Sequence, residues 1–193
     1  MKRIILVLVL ALALMGLLLP ATVFAADDTG TVSCTVSAAL VSVTVTDGSV
    51  GYAQLALGAT KNTAVYDATN NPNGMVTAQT QTITNTGTVN EDFNMKTSVA
   101  DGTVDWSLDA STPGSNLFTH AYLVSDTEYS GSAAIGSFIK WATADTYVAD
   151  AGGSNVAPAG LKYLELEIGM PTGVDDAGDH TITVTVQAVE AGT

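Results

Sequence analysis

Apolar and small polar residues alternate through most of the chain, and the pattern begins with an unusual stretch, Thr31–Thr46. In its first half, three apolar residues alternate with Ser and Thr: Val32, Cys34 and Val36. In its second half, three valines alternate with hydroxyl residues: Val41, Val43 and Val45. Such period-two alternation predicts half-buried β-strand. The apolar positions change from even to odd numbers, so the buried face must change near Ala39.

Nothing inside Thr31–Thr46 favours a turn, because the stretch contains no Gly, Pro, Asn or Asp. Fully extended, it would span about 50 Å at roughly 3.3 Å per residue, whereas typical strands have about five or six residues. One solution is a bulge at which the chain crosses from one sheet of a sandwich to the other. The other is that Leu40–Thr46 belongs to its own sandwich while Thr31–Ser37 completes an open sheet in a neighbouring copy. The sequence leaves both open.

Strand patterns separated by turn residues continue to the C-terminus. They predict strands at 50–57, 78–85, 92–99, 104–108, 118–125, 137–142, 161–170 and 182–188, with loops at 68–74, 111–116 and 150–160. No segment has a helical period with caps. The pattern therefore predicts an all-β protein, an Ig-like or jelly-roll β-sandwich of about ten strands. We assign residues 26–38 to an N-terminal strand and residues 39–193 to the sandwich domain.

The first 25 residues predict a secretory signal peptide. Lys2 and Arg3 precede an apolar run from Ile4 to Leu19, and Val23-Phe24-Ala25 forms a small-residue cleavage site. The run is shorter than the roughly 20 residues of a membrane-spanning helix. We expect cleavage after Ala25, a secreted protein of the cell surface, and no membrane insertion after cleavage.

Charge limits the partners of the remaining chain. Residues 26–193 carry all 19 acidic residues but only four lysines and no arginine, a formal charge of −15. Binding to nucleic acid needs Lys or Arg to neutralise phosphates, so nucleic acid is excluded as a partner. Cys34 is the only cysteine, so no disulfide can form within one chain, and we interpret it as a small buried apolar residue.

The chain offers little sign of catalysis. His120 and His180 lie 60 positions apart, and we interpret both as partly exposed polar residues. No G-x-S-x-G elbow occurs, and Cys34 has no nearby cation to activate it. We therefore expect no enzyme activity. Two aromatic residues bear on ligand binding: Trp106 is predicted to lie in the core, whereas Trp141 is the aromatic side chain that could be exposed for binding.

One acidic loop suggests a cation. Asp175, Asp176 and Asp179 lie close together beside glycines, and oxygen ligands on a flexible loop suit Ca²⁺. Their spacing matches no EF-hand, so a solvated acidic turn remains the alternative. Calcium is the one cofactor for which the sequence gives a reason.

A resemblance to a known family rests on short stretches of the chain. A signal peptide and a Thr/Ser/Val-rich strand are followed by DGSVGYAQLALG, TQTITNTGTVNEDFNMK and HTITVTVQA. In this the chain resembles small secreted β-sandwich subunits of bacterial and archaeal surface fibres, of the camelysin-type biofilm fibre and archaeal bundling-pilus kind. The resemblance implies that the N-terminal strand is donated to the next subunit and that the product is an extracellular filament.

The sequence thus predicts a secreted structural protein that assembles with copies of itself, head to tail, by donor-strand exchange. Val32, Cys34 and Val36 would be the interface residues. The alternative is a binding module of the cell envelope, an adhesin for carbohydrate or protein. An unpaired or missing edge strand in the 32–46 region would favour the filament, and exposed aromatic side chains in one loop cluster would favour the binding module.

Overall fold

A computed structural model describes residues 38–192, and this part of the chain is all-β, as predicted. It contains ten strands and no helix. The strands are β1 (Val43–Thr46), β2 (Thr60–Asn62), β3 (Gln81–Asn85), β4 (Glu91–Thr97), β5 (Ser107–Leu108), β6 (Leu117–Ser125), β7 (Ile139–Lys140), β8 (Val148–Val156), β9 (Leu161–Gly169) and β10 (Val184–Glu190).

The strands form two sheets in a sandwich-like arrangement. The larger sheet has the order β1-β3-β9-β6-β5, with β2 paired to β9 and β7 paired to β6. The smaller sheet has the order β10-β4-β8. All pairs are antiparallel except β5 with β6. Within the described residues, β10 and β8 are thus the two edges of the smaller sheet.

Strict alternation explains the central strand of the smaller sheet. Along β4, every second residue is fully buried, from Glu91 through Phe93 and Met95 to Thr97. Opposite them, Leu164, Leu166 and Ile168 of β9 are also buried. The apolar side chains of both rows belong to the core between the sheets, because inward side chains of facing sheets interdigitate in a sandwich.

The prediction of a loop over residues 150–160 is wrong, because most of this stretch belongs to the nine-residue strand β8. Its small residues are needed where β8 passes the large side chain of Phe93. A Cβ atom on Gly153 would lie only 2.7 Å from Phe93 Cδ2, closer than real contacts allow. The glycines that predict a loop therefore let a strand approach a buried aromatic ring.

The predicted strand at 50–57 is also absent, and residues 48–57 form an irregular segment that we call the strap. Asp47, Gly48 and Ala53 have positive φ angles of 66°, 60° and 56°, which interrupt extended backbone. Side-chain amides hold the strap instead of a ladder. Gln79 accepts from the Gly51 N–H at 2.7 Å and donates to the Gly51 carbonyl at 3.1 Å.

Two weaker strand predictions are only partly confirmed. The stretch 104–108 contains the two-residue strand β5, and 137–142 contains the two-residue strand β7. Val104 alternates with Trp106 and Leu108, yet it is 41% exposed. It lies in a turn where its N–H donates to Asp176 Oδ2 at 3.2 Å, so the alternation begins only at Trp106, which is buried as predicted.

Residues 38–42, which we call the entry segment, extend the line of β1 past the end of β3. The Leu40 carbonyl accepts from the Thr88 N–H, and the Ser42 carbonyl accepts from the Thr86 N–H, both at 2.8 Å. The Ser42 N–H donates to Glu91 Oε1 at 2.7 Å. Gly87 lies below the segment, and a Cβ atom there would collide with the Leu40 carbonyl oxygen. The entry segment is therefore fixed in an extended path.

An open groove between the sheets

A groove of about 1160 Å³ opens between the two sheets along one side of the sandwich. The strap forms one wall, and Thr181–Val184 with Val186 forms the opposite wall. Leu164, Leu166 and Ile168 of β9 line it as well. The groove therefore reaches side chains that belong to the core.

The backbone of β10 is open toward this groove. Thr181 and Thr183 bond to the β4 side, through Asp101 and Ser98, and Ala191 donates to the Asn90 carbonyl. Backbone groups of an antiparallel strand point alternately to its two sides. The N–H and C=O groups of the even-numbered residues therefore point away from β4, and within the described residues no strand pairs with that side.

The apolar side chains of the same residues are only half covered. Ile182, Val184 and Val186 pack against the core clusters, as their alternation predicts, yet each remains partly exposed. Val45 and Leu57, on the opposite side of the groove, are exposed. The groove thus combines an open strand edge with an incompletely buried apolar face.

Buried polar atoms concentrate on the groove-lining residues. Five of them have no hydrogen-bond partner among the described residues: Tyr52 Oη, Gln81 Oε1, Trp106 Nε1, His120 Nε2 and His180 Nε2. A buried donor or acceptor without a partner costs about 1–3 kcal/mol. An occupant of the groove that carries both N–H and C=O groups could satisfy such atoms.

Both histidines differ from the prediction that they are partly exposed polar residues. His120 lies in the middle of β6 and is buried, with Nδ1 2.7 Å from Thr97 Oγ1. Burial lowers its pKa to about 3, so the ring is neutral at physiological pH. The His180 side chain is also largely buried and stacks on Trp106 with ring centroids 3.7 Å apart.

Two of the three predicted calcium residues, Asp175 and Asp176, are placed with other partners, and Asp179 is exposed. Asp176 accepts from the backbone N–H groups of Thr103 and Gly178 at 3.0 and 2.8 Å, and these bonds lower the pKa of its carboxyl group. Asp175 Oδ2 accepts from Asn116 Nδ2 at 2.6 Å. Among the described residues, no group of three or more His, Cys, Asp or Glu side chains could hold a metal ion. Calcium binding stays a prediction without a geometric basis.

The prediction that Trp141 could be exposed is wrong. Its side chain is 0% exposed and lies against Tyr122, with ring centroids 4.7 Å apart. Its Nε1 donates to the Met95 carbonyl at 3.4 Å. Trp141 follows the short strand β7, whose pairing with β6 directs the indole into the core. The aromatic residue that favoured carbohydrate binding is therefore a core residue.

Sequence reasoning missed two buried groups near the strap. Glu165 lies between Leu164 and Leu166, so alternation would place it on the outer face, but it is buried and accepts from Thr63 Oγ1 at 2.6 Å and Thr80 Oγ1 at 2.7 Å. Burial raises its pKa. Burial, and the charges of Glu167 and Glu165, also raise the pKa of Tyr52, whose side chain contacts both core clusters. Neither turn residues nor hydrophobic periodicity identifies a buried Tyr or Glu side chain of this kind in a sequence.

The three predicted interface residues, Val32, Cys34 and Val36, lie outside the described residues, as does the predicted signal peptide. Comparisons with protein-family models, with curated proteins and with solved structures found no match to this chain. Within residues 38–192, no helix has the length and apolar character needed to cross a membrane.

Proposed function

We propose that this protein is a secreted structural subunit of an extracellular filament at the cell surface. In the proposal, Thr31–Ser37 of one copy completes the open sheet of the next copy, and head-to-tail repetition builds the filament. Because this contact joins two different surfaces and does not close, it can propagate without limit. Catalysis plays no part in this function.

The observation that carries the proposal is the open side of β10. Within the described residues, one side of β10 has no paired strand, and donor-strand exchange needs an acceptor sheet with such an open edge. An added strand gains main-chain hydrogen bonds from an open edge and specificity from alternate side chains. Val32, Cys34 and Val36 are small apolar side chains at alternate positions, which suits the half-covered face beside the groove.

The rival function, a binding module of the cell envelope, has weaker support. Trp141, the aromatic residue that favoured it, is buried. The unpartnered polar atoms of the groove could also receive a small polar ligand, but an open strand edge is not needed for such a ligand. We therefore favour the filament subunit over the adhesin as the proposed function.

The first test removes the proposed donor strand. A chain that begins at Ala38 should remain folded and monomeric, whereas the chain that begins at Ala26 should form filaments. Replacing Val36 with Asp should act similarly, because an unpaired buried charge costs several kcal/mol, and Ser37→Asp is the matched control on the other face. Circular dichroism, size-exclusion chromatography and electron microscopy measure the outcome.

Two results would contradict the proposal. Filaments that persist without residues 26–37 would show that another surface drives assembly. Loss of the folded state in the truncated chain would show that this strand belongs to its own sandwich. Intact-mass measurement of the secreted protein tests the expected N-terminus at Ala26, and a mass that includes Met1 would exclude cleavage.

A further inference from the structure

The direction in which the chain enters the sandwich determines which groove its N-terminal strand can reach. Ala38 and the entry segment lie at the end of the sandwich where β3 finishes at Asn85. At this entry end, β10 also finishes, since Glu190 pairs with Glu91. The groove wall formed by Thr181–Val184 lies at the opposite end, where β10 begins.

A chain that filled its own groove would therefore have to reverse direction immediately before Ala38. The entry segment leaves no room for that reversal, because Leu40 and Ser42 are already bonded in an extended path to Thr88, Thr86 and Glu91. The sequence offers no residue that favours it, since Thr31–Thr46 lacks Gly, Pro, Asn and Asp. Continuation away from the entry end needs no turn.

We infer that the groove accepts Thr31–Ser37 of a second copy, which enters at the end where β10 begins and runs antiparallel to β10. This inference rests on the proposed function and specifies its acceptor site and orientation. Copies stacked head to tail bring the entry end of one subunit to the β10-start end of the next. In that groove Ser37 of the tail lies at the outer end and Thr31 lies innermost, so the tail runs outward from Thr31 to Ser37, antiparallel to β10.

Side-chain alternation gives a register for this pairing. Residues directly opposite in an antiparallel pair share a face, so Val36, Cys34 and Val32 would lie opposite Ile182, Val184 and Val186 respectively. These three β10-side residues are the apolar members of the groove wall. Their outward-pointing backbone groups would bond to the donor, which places opposite Cα atoms about 5.5 Å apart. A disulfide fits that separation.

The single native cysteine makes the register testable. In the chain that begins at Ala26, Val184→Cys should give a disulfide-linked ladder of oligomers under mild oxidation, and reductant should collapse the ladder to monomer. Thr185→Cys, on the opposite face of the same strand, is the matched control and should give at least tenfold less ladder. Adding Cys34→Ser to Val184→Cys should abolish the ladder. Circular dichroism checks that each variant is folded.

A second pair of variants tests orientation in a Cys34→Ser background. Val36→Cys combined with Ile182→Cys should form the ladder if the strands are antiparallel. Val36→Cys combined with Val186→Cys should form it if they are parallel, which would overturn the orientation. A disulfide within one chain in the Val184→Cys variant, seen as an oxidised monomer without free thiols, would overturn exchange between copies.

The inference and the proposed function fail in different ways. Filaments of Val184→Cys without a ladder, or with as much ladder in Thr185→Cys, would overturn the acceptor site and leave the filament function standing. Absence of filaments from the unmodified chain beginning at Ala26 would instead contradict the function itself. The electron micrographs and the non-reducing gels are therefore recorded on the same samples.

Discussion

The two sides of the smaller sheet differ in how completely they cover the core. On the side where β4 pairs with β8, the β4 residues Phe93 and Met95 are fully buried, and the buried Trp141 packs beside them. Along β10, Val184 and Val186 have the same inward alternation but remain partly exposed beside the groove. The same alternation thus accompanies complete burial on the β8 side, which we call the closed side, and partial burial on the β10 side, which we call the open side.

This difference indicates that alternation determines which face of a strand is apolar but does not ensure that other residues bury that face. On the β8 side, small residues such as Gly153 let the backbone approach Phe93 closely. On the β10 side, the strap supplies side chains such as Tyr52 but no strand. The open side is therefore where an additional chain would add most buried surface.

The largest expected loss of stability comes from a substitution in the core on the closed side. Phe93→Ala should lower the free energy of unfolding by about 3–5 kcal/mol, since a buried aromatic side chain leaves a cavity. Val186→Ala, on the open side, should cost about 1 kcal/mol in the unassembled subunit. The loss is smaller because valine has less apolar surface than phenylalanine and because Val186 is already partly exposed. Urea denaturation of the chain that begins at Ala38 measures both. Equal losses would show that the two sides are packed alike.

A smaller effect is expected at the entry segment. Glu91→Ala removes the acceptor for the Ser42 N–H and should cost about 1–3 kcal/mol, with faster hydrogen exchange at the Ser42 amide. Glu91→Gln keeps an acceptor oxygen at this position and serves as the control. If exchange at Ser42 is unchanged in Glu91→Ala, the entry segment is held by other contacts, and the direction of the N-terminal strand would not depend on this bond.

The smallest effect concerns His120, between the closed side and the groove. Its pKa is lowered to about 3 by burial, below its value of about 6.5 in an unfolded chain, so the unfolded state binds more protons between these two values. Stability should therefore fall as pH decreases through 6.5, by about 1 kcal/mol between pH 7 and 5.5 from this group.

His120→Gln isolates this contribution, because its pH profile should lack the loss while other groups still titrate. Glu165 and Glu167 have raised pKa values and act in the opposite direction, so the comparison must be between the variant and the unmodified chain. If the melting temperatures of the two proteins change equally from pH 7 to 5.5, the pKa of His120 is not lowered in the folded state.

Much of the fold follows from the sequence where alternation and turn residues agree. Strands β4, β6, β9 and β10 lie within two residues of their predicted positions, because each carries a clear alternation or a run of β-favouring residues. Strand β8 escaped prediction because its glycines make sense only beside Phe93, a partner distant in sequence. The strap escaped because residues such as Ala53, with φ of 56°, adopt conformations that their type does not favour.

The candidate site was harder to predict than the fold. The donor strand could be proposed from Thr31–Ser37 alone, but the groove is a consequence of how β10, β9 and the strap are arranged. Trp141 and Glu165 were misplaced because alternation does not show when a segment distant in sequence packs over a residue. Burial of these side chains depends on tertiary contacts that no local pattern contains.

The entry segment and the groove wall at Thr181–Val184 lie at opposite ends of the sandwich, and this has a consequence for filament growth. In the proposed filament, one terminal subunit presents an unfilled groove and the other presents an unused tail, so the two ends differ chemically. A subunit without residues 26–37 could be added at the end that presents a free tail, but it could not itself bind the next groove. In small amounts it should shorten the filaments, as a chain terminator shortens a polymer.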